Sequence, residues 1–182
     1  FEPQPLLAML NRATLSLHNI VQTEVIQNGL SDQISEVSIP IWDYDKVGNF
    51  GAVDLHSHKT TQTAGQKIKL ITLDSMNLEK VDFIKIDIEG MEFQALKGAE
   101  KTILKCRPIL YIENDRAENS EKIKSLLKKW DYEFHLHNPF LYNPQNFKKN
   151  PTNIYGYSSS FNLFSFPKEK DVNLSDIKRL LD

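Results

Sequence analysis

Val81–Gly98 reads VDFIKIDIEGMEFQALKG, and its three parts decide how the rest of the chain is read. Val81, Phe83, Ile84, Ile86 and Ile88 nearly fill the first part, as in a strand buried on both faces of a parallel sheet. Asp87 and Glu89 stand where that strand should end, and in open α/β sheets the ligand crevice lies outside the carboxyl ends of the strands. Gly90 permits a sharp turn, after which Phe93, Leu96 and Ile103 keep helical spacing through Met91–Lys105, with Gly98 as the weak point. The unit is strand, acidic loop, helix.

Upstream, Phe1-Glu2-Pro3 has the look of a strand tail, with Pro5 in the first turn of a helix that carries Leu6, Leu7, Met9, Leu10, Leu15 and Leu17 and ends near Asn11 or His18. Ile20–Ile26 alternates as a strand and closes at Asn28-Gly29, with Asp32 just beyond. Val37, Ile39 and Ile41 suggest an edge strand, because Pro40 cannot donate to a ladder. Asp43–Gln66 is expected to be a long loop. Lys67–Leu73 alternates again, and Asp74-Ser75 is a candidate cap or turn.

Downstream, Pro108–Ile112 is a second buried strand ending in the acids Glu113 and Asp115. Ser120 is expected to cap a helix carrying Ile123, Leu126, Leu127 and Trp130. Tyr132, Phe134 and Leu136 alternate with Glu133, His135 and His137 as a half-exposed strand. Asn138–Ser158, rich in Pro, Asn and Tyr, reads as a lid, Ser160–Phe166 as a strand and Asn173–Leu181 as a terminal helix. Strands alternating with helices argue for a parallel sheet flanked by helices. The last two strands, with no helix between them, add one antiparallel strand, expected at an edge.

The 182 residues, 40% hydrophobic and 25% charged, suit one domain over 1–182. With a net charge of −2, nothing suggests an electrostatic grip on nucleic acid or on anionic lipid. The single Cys106 excludes an internal disulfide and a cysteine-based zinc cage, and it suits a reducing compartment, so a cytoplasmic protein is expected. No apolar run reaches the roughly 20 residues of a membrane span.

These residues together resemble the FkbM-type family of S-adenosylmethionine-dependent methyltransferases. The resemblance rests on Phe1-Glu2-Pro3, Leu30-Ser31-Asp32, Thr72-Leu73-Asp74, the run from Ile84 to Gly90 with Glu92, Leu96, Lys97 and Gly98, Arg107-Pro108-Ile109-Leu110 with Glu113, and Asn162 with Phe164 and Pro167. A subgroup is suggested by Glu113-Asn114-Asp115-Arg116, His137, Tyr142-Asn143-Pro144, Asn146-Phe147, Asn153 and Gly156. The resemblance implies a Rossmann-like methyltransferase sheet with helices on both faces and an antiparallel terminal strand. It also implies an S-adenosylmethionine cofactor and a hydroxyl acceptor on a sugar, glycan or small metabolite. The Gly-rich loop such enzymes place after their first strand has no counterpart here, so the chain is expected to be the C-terminal majority of a longer enzyme, lacking that strand. A non-catalytic Rossmann-like binding module is the competing reading.

By the same resemblance Glu2 would accept the ribose hydroxyls, since two adjacent hydroxyl donors suit one carboxylate, and Asp32 would reach the adenine side. A solvated terminal Glu and a turn-forming Asp are the plain alternatives. Asp87 would adjoin the transferable methyl and orient the acceptor or the methionyl amine, paired with Lys85 on the same side of its strand. Glu89 is a candidate general base. With Glu92 these acids have the oxygen chemistry of a cation site, but negative charge at a helix N-terminus is favourable without one, and no metal is assigned. His137 ends a strand toward the lid, where imidazole can take a proton from a hydroxyl, and His135 shares its parity. His56-x-His58 is a weak metal pair. Phe140, Tyr142, Phe147, Tyr155 and Tyr157 have rings that can stack on a sugar, and packing of the lid explains them equally.

Overall fold

A computed structural model describes residues 1–39, 41, 43–48 and 65–172. Pro40, most of the expected Asp43–Gln66 loop with His56 and His58, and the expected terminal helix lie outside the described residues. Those described form an α/β protein with two mixed sheets and several helices, divided into two compact units. The first unit comprises Phe1–Glu79 and Ile88–Lys105, and the second Lys80–Asp87 with the chain from Cys106 on.

In the first unit, α1 (Pro5–Leu17) starts with proline in its first turn, where the missing N–H costs nothing, and stops at His18. The sheet orders β1 (Gly29–Leu30), β3 (Gln66–Ile71) and β2 (Ser35–Ile39), with β1 parallel and β2 antiparallel to β3. The edge placement of β2 matches its reading. The expected strand over Ile20–Ile26 does not form, because alternation needs a partner. Val21 is 89% exposed, Glu2 N donates to Ile26 O at 3.0 Å, and β3 pairs only with Gly29 and Leu30 of this segment. Phe1-Glu2-Pro3 is likewise outside any ladder.

Ile39, Ile68, Leu70 and Met91 form a buried cluster in this unit, with Val37 and Ile88 packed against it. The expected single helix after Gly90 breaks into α2 (Glu92–Lys97) and α3 (Glu100–Cys106) at Gly98. Gly98 has ordinary helical φ, so its requirement is space: a Cβ there would overlap the Ser31 carbonyl.

Asp74 does more than end its own turn. It accepts from Lys101 N at 3.0 Å, from Thr102 N at 2.8 Å and from the Thr102 hydroxyl at 2.8 Å, capping α3 from far back in the sequence. The short 3-10 turn Leu73–Met76 that holds it is itself capped by Thr72, whose hydroxyl accepts from Ser75 N.

In the second unit the sheet orders β4 (Phe83–Ile86), β5 (Ile109–Glu113), β7 (Asn162–Pro167) and β6 (Tyr132–His137). β4 and β5 are parallel, and β7 runs antiparallel to both of its neighbours. The antiparallel last strand is therefore present, but it lies between β5 and β6 and not at an edge. Five of its six residues are buried, which an edge position would not give. β4, expected to be buried on both faces, is an edge strand among the described residues and leaves Phe83 55% exposed. An apolar run alone does not report how many neighbours a strand finds.

Leu110, Ile112 and Leu163 are fully buried, as are Ile123 and Leu127 of α4 (Ala117–Lys129), which packs against β6. Each such side chain contributes about 1.5–3 kcal/mol. Ser120 does not cap α4: the helix starts a turn earlier after Arg116, and Ser120 N bonds back to the Arg116 carbonyl.

Arg107, at φ 52°, clamps this unit. Its guanidinium grips both Glu169 oxygens at 2.6 and 2.8 Å, donates to the Trp130 carbonyl at 2.7 Å, and lies 4.7 Å from the Tyr132 ring centre. The Tyr132 hydroxyl donates to the Pro108 carbonyl at 2.9 Å, and burial holds its pKa above the ordinary value.

Candidate functional site

The turn after β4 is built by a buried acid. Glu89 takes the left-handed conformation at φ 54° and Gly90 follows at φ 98°. A non-glycine residue there is held by its surroundings. Glu92, 2% exposed, supplies the hold: its Oε1 accepts from Gly90 N at 2.9 Å and from Ile88 N at 3.2 Å. These bonds tie the backbone of the turn to the start of α2.

Asp32 is engaged in a similar way. Its carboxylate bonds Lys97 Nζ at 2.8 Å, which holds it below the usual carboxylate range, and the Ser31 hydroxyl adds a weaker donor at 3.3 Å. The loop after β1 is thereby tied to α2. Glu2 accepts from Gln4 N at 2.8 Å and borders a cavity of about 300 Å³ whose lining includes Asn11, Thr14, Thr23 and Glu24. That volume is at the lower limit of small-molecule sites.

In the second unit, strand register gathers a different group. Lys85 stands opposite Tyr111 across β4 and β5, and Asp87 follows two residues on, paired with Lys85 at 2.5 Å in solvent. Register also sets Glu113 and His137 on either side of Asn162. The Tyr111 hydroxyl meets His137 Nδ1 at 2.7 Å, with the rings tilted 60° and centred 5.8 Å apart. Burial raises the Tyr111 pKa, and the negative charge of Asp87 raises it further. His137 Nε2 is buried with no hydrogen-bond partner, and so is Asn114 Oδ1 just past the end of β5. Asn162 Nδ2 donates to the Ser160 hydroxyl at 2.9 Å and, at 3.4 Å, to the His137 carbonyl. His135, of the same parity, is bonded to Glu133 and stacked on Phe166.

The predicted site residues thus fall in both units: Glu2, Asp32 and Glu89 in the first, Asp87 and His137 in the second. Sequence reading missed Tyr111. Its signal was the one aromatic in the aliphatic run of Pro108–Ile112, at the parity of Glu113. Among the described residues no group of three His, Cys, Asp or Glu is placed to hold a metal ion. No described helix is long and apolar enough to cross a membrane.

These features define an α/β protein with acids and unmet polar groups at its strand ends. The family model for the methyltransferase FkbM domain matches residues 1–134, and the chain belongs to that family. Among solved structures it is similar to the crystal structure of methyltransferase FkbM from Methylobacillus flagellatus KT, with a TM-score of 0.56 and 19% identity over 90% of this chain. The chain spans about a third (35%) of that protein's length. No curated protein matches it.

Proposed function

We propose that the chain serves S-adenosylmethionine-dependent methyl transfer to a hydroxyl of a sugar, glycan or small metabolite, on a Rossmann-like methyltransferase framework. His137 takes the acceptor's proton. The observation that carries this role is the buried, partnerless Nε2 of a ring whose other nitrogen is fixed by Tyr111.

The two tautomers differ in cost. If Tyr111 donates to Nδ1, Nε2 carries a buried N–H with no acceptor, and orphaned N–H groups are rarer than bare acceptors. If Nδ1–H donates to the Tyr111 oxygen, Nε2 presents a lone pair, and the part-buried Tyr111 hydroxyl keeps its proton for a hydrogen bond elsewhere. The second tautomer is the one a proton acceptor needs. The cofactor's sulfonium activates the methyl group, leaving the protein to position the acceptor and remove one proton.

Glu2, beside its cavity, has the chemistry for a ribose diol, and Asp32 is assigned to the adenine side. Asp87 orients the acceptor hydroxyl from the strand end. Glu89 is a second candidate base, held in its strained turn by Glu92. Cytoplasmic residence stays part of this proposal.

The test is transfer of labelled methyl from S-adenosylmethionine to a panel of sugar and polyol acceptors, by wild type and by His137→Gln. Transfer by wild type and its loss in the variant are expected. Cofactor binding by calorimetry without transfer to any hydroxyl would favour the binding module, and an unimpaired His137→Gln enzyme would remove His137 from the chemistry.

A further inference from the structure

The family match ends at residue 134, and the most exposed apolar side chains of the second unit lie beyond it, between β6 and β7. There the chain folds back on itself. Leu141 N donates to Ser158 O at 2.9 Å, Ser160 N donates to Pro139 O at 3.0 Å, and Phe140 bridges Ser159. Residues 143–157 are the closed tip.

The tip is fixed from inside by its asparagines. Asn143 Oδ1 accepts from Gln145 N at 2.8 Å, and Asn150 Oδ1 from Thr152 N at 3.0 Å. Asn146 spans the tip, donating to the Asn143 and Asn150 carbonyls at 3.0 and 2.8 Å and accepting from Asn150 N at 3.0 Å. Asn153 accepts from Tyr155 N at 2.9 Å and donates to the Gly156 carbonyl at 2.8 Å. Pro144 and Pro151 fix φ at two further points. A loop so bound loses little entropy when something docks on it.

What it offers outward is apolar and basic. Phe147 is 99% exposed, Tyr157 94% and Ile154 77%, and Lys148 and Lys149 directly follow Phe147. No Asp or Glu occurs from 138 to 161, and neither lysine has an ion-pair partner among the described residues. Exposed apolar groups concentrated in this way mark a contact surface. A sugar-reading surface needs side-chain amides or carboxylates for the hydroxyls beside its rings. Here Asn146 and Asn153 are engaged through both amide atoms, and Asn143 and Asn150 through Oδ1, by the tip's own backbone.

We propose that the tip is an interfacial anchor for an anionic lipid surface. Phe147, Ile154 and Tyr157 enter the boundary between headgroups and acyl chains, and Lys148 and Lys149 meet the headgroup charge. The whole-chain charge of −2 does not oppose this, because beyond a Debye length of about 8 Å the remaining charges are screened.

The test is co-sedimentation of the chain with vesicles of phosphatidylcholine mixed with phosphatidylserine, and with phosphatidylcholine alone. Binding to the mixed vesicles, weakened by salt, is expected. Lys148→Ala with Lys149→Ala should weaken it about 30-fold, at roughly fivefold per lysine. Phe147→Ala should weaken it about tenfold or more. Val21→Ala, removing an equally exposed apolar group of the first unit, should leave binding unchanged. Absence of binding to the mixed vesicles would overturn the proposal, as would an equal loss in Val21→Ala. Binding of a soluble oligosaccharide, abolished by Phe147→Ala while vesicles stay unbound, would make the tip a glycan reader instead.

Discussion

Glu92 and Asp74 in the first unit each end on backbone donors of their own chain, whereas His137 and Asn114 in the second, like Gln94 in the first, each hold a buried polar atom with no protein partner. All sit in segments that read as motif in the sequence. The difference is in their hydrogen bonds: an acid whose oxygens are engaged by two or three backbone N–H groups is holding a turn or a helix end. A buried nitrogen or oxygen left over is free to meet a water or a ligand.

His137→Gln should separate the two kinds of group most visibly. Loss of the proton acceptor should lower methyl transfer about 10²–10⁴-fold, with the urea midpoint unchanged. A fall in stability without a matching fall in turnover would place His137 among the structural groups.

Glu92→Ala and Asp74→Ala probe the other side. Glu92→Ala removes the acceptor of Gly90 N and Ile88 N, and Asp74→Ala uncaps α3; each should cost about 1–3 kcal/mol in urea unfolding, and Asp74→Ala should retain its turnover per folded molecule. Retained stability with lost turnover would move Glu92 into the site. Tyr111→Phe is a finer probe: the ring stays, the hydroxyl that fixes His137 goes, and turnover should fall about tenfold. Full activity in Tyr111→Phe would show that the imidazole needs no such hold.

The smallest effect concerns the Arg107 clamp. The guanidinium holds the Glu169 carboxyl at about 2, below the ordinary value of about 4.3. Because the folded-state value is the lower one, the pair's contribution is present above about pH 4.3 and is lost as pH falls toward 2. The Glu169 side chain is 56% exposed, so the contribution is modest. The difference in thermal midpoint between wild type and Glu169→Gln should be largest near neutrality and shrink through this window. A difference independent of pH would show that packing, not charge, holds the clamp.

Much of this architecture can be read directly from residue pattern. Pro5 starts α1, Gly98 splits the helix after the acidic turn, and the alternations in Lys67–Leu73 and Tyr132–His137 yield strands. These are local signals with local causes. What could not be read depended on distant partners. Ile20–Ile26 alternates but finds no ladder, and β7 looks like a terminal edge yet enters between β5 and β6. Asp74 caps a helix far ahead of it.

The candidate site divides in the same way. Asp87 and His137 were legible as polar residues at strand ends, and the Lys85 pairing followed from parity. Tyr111 was not, since its role depends on reaching across to β6, and no spacing within one strand encodes that.

The proton-acceptor role of His137 stands or falls on its tautomer, read from long-range ¹H–¹⁵N correlations of the imidazole at a pH where the ring is neutral. A protonated Nδ1 donating to Tyr111 is expected, with an Nε2 that has the chemical shift of a bare, lone-pair nitrogen. A protonated Nε2, with Nδ1 accepting from the Tyr111 hydroxyl, would contradict it.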